Sequence, residues 1–151
     1  MDLPNATFTP SPPKLQLAEP SLSLRCFQTL FHKEHSVLSI AATKDYIFCG
    51  TQGSCIHVWG AQDFLPRKVL TGHRGSIFAL VLDATQKTLY SGAGDGTVRA
   101  WDTETLTCRF VVHSGPNVGD ILSLAYCAEF DTLFMGCQNT SIQWFSPSSP
   151  D

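Results

Sequence analysis

Short runs of apolar and polar positions, each four to seven residues long and separated by turn residues, follow one another along most of this chain. Runs of that length with β-branched and aromatic residues predict strands. The first predicted strand covers residues 25–31. Three cycles follow: 36–41, 46–49 and 55–59, then 67–70, 76–82, 88–91 and 97–101, then 108–112, 121–126, 132–135 and 141–145. No stretch carries a convincing helical period. The strand that opens each three-strand group (36–41, 76–82 and 121–126) is almost continuously apolar, which predicts a strand covered on both faces. Residues 97–101 alternate instead, with Val98 and Ala100 on one face and Thr97 and Arg99 on the other. Gly94-Asp95-Gly96 between two strands predicts a tight hairpin turn, because these residues tolerate positive φ.

The cycles repeat. Trp59, Trp101 and Phe145 stand 42 and 44 residues apart, and each lies nine residues after a glycine (Gly50, Gly92, Gly136). A period of about 40–45 residues with this ending points to one four-stranded β-sheet per repeat, stacked around an axis. Closed rings of that kind need roughly four to eight sheets. Three cycles predict an unclosed arc.

The second cycle adds a set of polar side chains: Gly72-His73 ahead of the apolar strand, Ser91 within the next, Asp95 in the turn, and Trp101-Asp102 at the end. A buried imidazole, hydroxyl and indole N–H each need a partner, and a carboxylate at one end satisfies them in series. His73, Ser91, Asp95 and Trp101 are therefore expected to form a structural hydrogen-bonded network. The same trio of Asp, His and Ser suggests a hydrolase, but no Gly-x-Ser-x-Gly elbow precedes a helix and Ser91 belongs to a strand. In the other cycles Gly53 and Asn139 replace the turn Asp, and Cys49 and Met135 replace the strand hydroxyl. Those cycles must rely on packing. Either His32 or His35 could correspond to His73.

These residues closely resemble the WD repeat, whose equivalent His, Ser, Asp and Trp side chains tie the strands of one blade together. The resemblance implies an all-β fold: a partial WD40-type β-propeller of about three blades, built from antiparallel four-stranded sheets and not closed. In WD proteins a repeat begins with the outer strand of the preceding blade, so residues 25–31 would be an orphan outer strand, followed by two four-stranded blades and a third lacking its outer strand. The expected organisation is a proline-rich disordered tail (1–21), three WD-type repeats (22–146) and a short C-terminal tail (147–151).

Part of the pattern is more specific. Residues 118–126 and 131–145, with 35–41 and 48–52, resemble the N-terminal WD region of a fungal family: the WD-repeat subunit of the cytosolic glutathione-degrading peptidase complex. That resemblance covers about residues 27–145. It implies a non-catalytic scaffold segment, with a metallopeptidase-like domain elsewhere in the relative and a glutamine-amidotransferase-like partner subunit. None of the family's zinc ligands or its catalytic carboxylate maps onto this chain. The alternative is a generic WD-repeat adaptor, such as a substrate receptor of a ubiquitin ligase or a signalling scaffold.

Composition narrows the rest. With 43 % hydrophobic and 15 % charged residues, the folded part should bury a core. A net charge of -3 with scattered basic residues argues against nucleic acid as a partner. No run of 18 apolar residues suggests a membrane helix, and the first residues lack a secretory pattern, which leaves a cytoplasmic location as the expectation. The six cysteines form no C-x-x-C pair and are expected as buried thiols, a Cys49–Cys55 cross-hairpin disulfide being the minority reading. His32-x-x-His35 lacks further ligands at metal spacing. No catalytic residue, cofactor or metal site is expected. Protein partners are. Both end blades would expose an apolar face on the order of 500 Å², worth roughly 12 kcal/mol if covered, so the segment alone should be aggregation-prone or self-associate through open faces and edges.

Overall fold

A computed structural model describes residue 29 and residues 34–148. The expected N-terminal tail, most of the expected strand at 25–31 and His32 lie outside the described residues, as do residues 149–151. Eleven strands are present among the described residues, and no helix. β1 (Val37–Ala42), β2 (Tyr46–Thr51), β3 (Ile56–Gly60) and β4 (Pro66–Leu70) form one antiparallel sheet in sequence order. β5 (Ile77–Leu82), β6 (Thr88–Ala93), β7 (Thr97–Asp102) and β8 (Thr107–His113) form the second. β9 (Ile121–Cys127), β10 (Thr132–Cys137) and β11 (Ile142–Phe145) form the third, with three strands. Each sheet is a chain of hairpins, the connection that antiparallel neighbours require.

The turns explain the hairpins. Gly96 sits at φ +72 after Asp95, and Ser54 (φ 63) and Thr140 (φ 68) take the same left-handed conformation at the matching turns of the other sheets. Glycine does this freely; the two substituted residues carry strain. Asn139 helps its turn by accepting from the Ser141 N–H (3.1 Å) and hydroxyl (2.6 Å). In the second sheet Asp95 accepts the equivalent pair from the Thr97 N–H (3.0 Å) and hydroxyl (2.7 Å). A backbone bond also recurs sheet by sheet: the N–H groups of Gln52, Gly94 and Gln138 donate to the carbonyls of Ser36, Ser76 and Asp120.

The sheets stack face to face and bury two cores. Between the first and second lie Phe48, Ile56, Val58, Ile77, Leu89 and Trp101. Between the second and third lie Tyr90, Val98, Ala100, Ile121, Leu133 and Met135. Tyr90 stacks on Tyr126 (centroids 6.2 Å apart, 18° between planes) and meets Phe145 edge-on (6.4 Å), so aromatic contacts join these sheets as well. The middle sheet is covered on both sides, and all six residues of β6 are buried.

Two expectations need correcting. The apolar strand at the start of each end sheet is not buried on both faces: Leu38 and Ile40 in β1 and Leu122 in β9 are exposed. A sheet at the end of an open stack has a neighbour on one side only, so half of its apolar side chains face outward. The cysteines also differ from expectation. Among the described residues only Cys137 is buried; Cys108 is exposed on the outer strand β8, and Cys49, Cys55 and Cys127 are half-covered. These five are free thiols. Cys49 pairs across the hairpin with His57 rather than with Cys55, which lies outside the strand. That register does not place the two sulfurs opposite each other.

Candidate functional site

The second sheet brings His73, Ser91, Asp95 and Trp101 together. His73 precedes β5, Ser91 lies in the middle of β6, Asp95 occupies the β6–β7 turn and Trp101 is near the end of β7. His73 Nδ1 is 3.0 Å from Asp95 Oδ2 and its Nε2 is 2.7 Å from Ser91 Oγ. The Trp101 indole N–H donates to Ser91 Oγ at 2.8 Å. One proton arrangement satisfies all four groups: His73 Nδ1–H donates to the carboxylate, the Ser91 hydroxyl donates to Nε2, and Trp101 donates to Ser91. The series crosses from the loop before β5 to β6 and then β7.

Electrostatics agree with a neutral imidazole. Burial pushes the His73 pKa below its ordinary value, and this outweighs the hydrogen bond and charge of Asp95 that would raise it. For Asp95, desolvation acts upward, but hydrogen bonds from Thr97, the Arg74 N–H and His73 bring the carboxyl down to about 2. Arg74 N donates to Asp95 Oδ2 at 2.8 Å.

Thr97 is a member that sequence reasoning missed. Besides its bond to Asp95, its hydroxyl lies 3.2 Å from His73 Nδ1. A signal was available, since a Thr two residues after an Asp in a hairpin turn is placed to bond the carboxylate. Also missed is a clasp beneath the blade: Arg109 Nε donates to Asp102 Oδ2 at 3.1 Å and its Nη1 to Thr88 Oγ1 at 3.2 Å, tying β8 to β7 and β6.

The order Asp95, His73, Ser91 matches that of a hydrolytic triad, but access does not. Ser91 is fully buried, and its oxygen already serves His73 and Trp101. A substrate carbonyl cannot reach it. In the first sheet the His35 ring lies against Gly53, the position matching Asp95. Among the described residues no group of three His, Cys, Asp or Glu side chains is placed to hold a metal ion, and no helix is long and apolar enough to cross a membrane.

Two other features stand out on the surface. A polar cleft of about 520 Å³ lies among the turns at one end of the first two sheets, lined by Lys44, Asp45, Tyr46, Lys87 and Glu104. The outward faces of the end sheets are the second feature: Ile40 is 65 %, Ile142 69 % and Trp144 66 % exposed. Apolar side chains exposed in groups mark surfaces that other proteins cover.

Comparison with known proteins agrees with this architecture. Residues 64–102 match the WD domain, G-beta repeat family. The chain is 32 % identical over 126 residues to a probable di- and tripeptidase, DUG2, of Saccharomyces cerevisiae, a match covering 71 % of this chain and 14 % of that protein. It is 34 % identical over 86 residues to sconB of Aspergillus terreus, a probable E3 ubiquitin ligase complex SCF subunit, covering 54 % of this chain and 13 % of the relative. The chain therefore spans a small fraction of the length of these relatives. Among solved structures, the RRP9 WD40 repeats superpose with a TM-score of 0.73 at 15 % identity, over 80 % of this chain and 38 % of that one. The chain thus carries a WD40 repeat at residues 64–102, and its three stacked antiparallel sheets have the fold of an unclosed WD40-type propeller.

Proposed function

We propose that this chain is the non-catalytic WD-repeat scaffold of a peptidase-complex subunit acting in glutathione breakdown in the cytoplasm. The observation that carries the proposal is the 32 % identity to the probable di- and tripeptidase over 126 residues, a match that covers 71 % of this chain. The geometry supports a scaffold: the Asp95–His73–Ser91 series is spent on holding a blade together, and the apolar surface available to partners lies on sheet faces. WD-repeat domains mediate protein–protein interaction, and that role needs nothing more from this chain. On this reading the partners are proteins, among them an amidotransferase-like subunit of the complex, and neither nucleic acid nor membrane is engaged. A second reading is a ubiquitin-ligase adaptor, favoured by the 34 % identity to the SCF subunit over 86 residues.

Affinity purification of the full chain from its own cells separates the two. The scaffold reading expects a peptidase and an amidotransferase-like subunit in near-equal amounts, together with glutathione-degrading activity in the eluate. Recovery of ubiquitin-ligase components, with neither of those proteins, would overturn it in favour of the adaptor.

A further inference from the structure

The four arginines among the described residues divide two and two. Arg67 and Arg109 form ion pairs with Asp63 and Asp102. Arg74 and Arg99 form none among the described residues, and both line one cleft of about 330 Å³, together with Gly72, Asp95, Thr97 and His113. The cleft lies where the segment between β4 and β5 passes β7 and the end of β8. Thr97 stands opposite His113 in the β7–β8 register, and Arg99 follows two residues on, so the three side chains share one face of the second sheet.

Arg99 is held in place but poorly satisfied. Its Nη1 donates to Cys108 Sγ at 3.8 Å, a weak acceptor. Its Nε is closed off from solvent and has no acceptor among the described residues. A donor desolvated without a partner is a cost that the fold carries until an acceptor arrives. Gly72 explains the position of the guanidinium. It sits at φ +144, which favours glycine, and a Cβ there would lie 2.7 Å from Arg99 Nη1 and 2.9 Å from Cζ. The missing side chain lets the guanidinium lie against the main chain, fixed before any ligand binds. The carboxylate in the cleft is already engaged. Asp95 Oδ1 accepts from the Thr97 N–H and hydroxyl, and Oδ2 from His73 Nδ1–H and the Arg74 N–H. Two guanidinium groups against one carboxylate leave the arginines in excess by one charge.

We propose that this cleft binds the carboxylate of an acidic side chain from a partner protein, held between the guanidinium groups of Arg99 and Arg74. A single carboxylate balances the excess charge, whereas a phosphate dianion brings a second negative charge beside Asp95 that the cleft does not offset. The planar carboxylate also matches the paired N–H groups along one guanidinium edge. Bound in this way it gives Arg99 Nε the acceptor it lacks, with the guanidinium turning that edge to the opening. The site holds under either reading of the function, and none of its residues belongs to the outward face of an end sheet.

Nuclear magnetic resonance of the full chain, following the arginine Nε–H signals at constant ionic strength, tests this with the peptide N-acetyl-Gly-Glu-Gly-amide. The Arg99 signal is expected to shift saturably, while those of the paired Arg67 and Arg109 stay in place. The same peptide with glutamine in place of glutamate should give no shift. Arg99→Lys, which keeps the charge but loses the fork, should weaken binding about tenfold, read from the Gly72 and His113 backbone amides. Arg74→Gln, in the exposed segment before β5, should weaken it less. No saturable shift, an equal response to the glutamine peptide, tighter binding of inorganic phosphate than of the peptide, or unchanged affinity in Arg99→Lys would each overturn the carboxylate site. Should Arg99→Lys lose its fold, Arg74→Gln decides: unchanged affinity overturns the proposal.

Discussion

Ser91 is the residue on which the second blade's polar network turns, because its hydroxyl serves His73 and Trp101 at once. Ser91→Ala leaves a buried indole N–H and an imidazole nitrogen without partners. The expected cost is about 2 kcal/mol, read as a lower urea midpoint with an unchanged slope. Titration gives a second readout. Burial holds His73 below its ordinary 6.5, so the unfolded chain takes up a proton at a higher pH than the folded chain. Its contribution to stability is whole above about pH 6.5 and declines as pH falls below it. Asp95, at about 2 when folded against an ordinary 3.8, gives a further decline as pH falls through 3.8 toward about 2. Urea midpoints measured from pH 8 downward should show both steps. Asp95→Asn should shrink the lower one, leaving the part due to Asp102, which is also held at about 2; a profile flat between pH 7 and 5 would contradict the neutral buried His73. His73, Ser91, Asp95 and Trp101 were legible in the sequence because each sits at a fixed place in one repeat and each needs a partner. Thr97 escaped because a Thr in a strand is ordinarily read as a β-former.

At the scale of elements, the strands were readable because apolar alternation and turn residues agree at nearly every hairpin. β6 nevertheless runs on through Gly92 and Ala93, beyond the residues 88–91 that the pattern marks. Gly92 looks like a strand breaker in isolation, yet the tight approach of Ile121 demands it. Exposure of β1 and β9 was not legible strand by strand, since an apolar run says nothing about how many neighbours cover it. The hairpin turns make a separate prediction. Thr140 is β-branched and left-handed at φ 68, a conformation costing roughly 1–2 kcal/mol for a residue with a Cβ. Thr140→Gly should raise stability by about 0.5–1 kcal/mol after the entropy that glycine loses on folding. Gly96→Ala, which introduces that strain where φ is +72, should lower it by about 1 kcal/mol. Thermal midpoints of the two variants, moving in opposite directions, are the check.

The described residues form a stack of three sheets in which the middle one has neighbours on both sides and the ends have one each. Cooperativity should follow that arrangement, since each blade leans mainly on the next. Stability is then concentrated in the second sheet, where both cores meet and where the His73–Ser91–Trp101 series and the Arg109 clasp add cross-strand bonds. Val98→Ala, which trims a buried side chain in the core shared with the third sheet, should cost about 1–3 kcal/mol. Trp144→Ala, on an open face, should cost much less in a single chain; chemical denaturation of both variants at low protein concentration compares them.

Amide hydrogen exchange, followed by mass spectrometry at a dilution where the chain is single, tests the stacked arc most directly. The account predicts the slowest exchange in β6 and β7, between the two cores, with β1, β9 and β11 opening earlier. Equal protection across all eleven strands, or the slowest exchange in an end sheet, would contradict it.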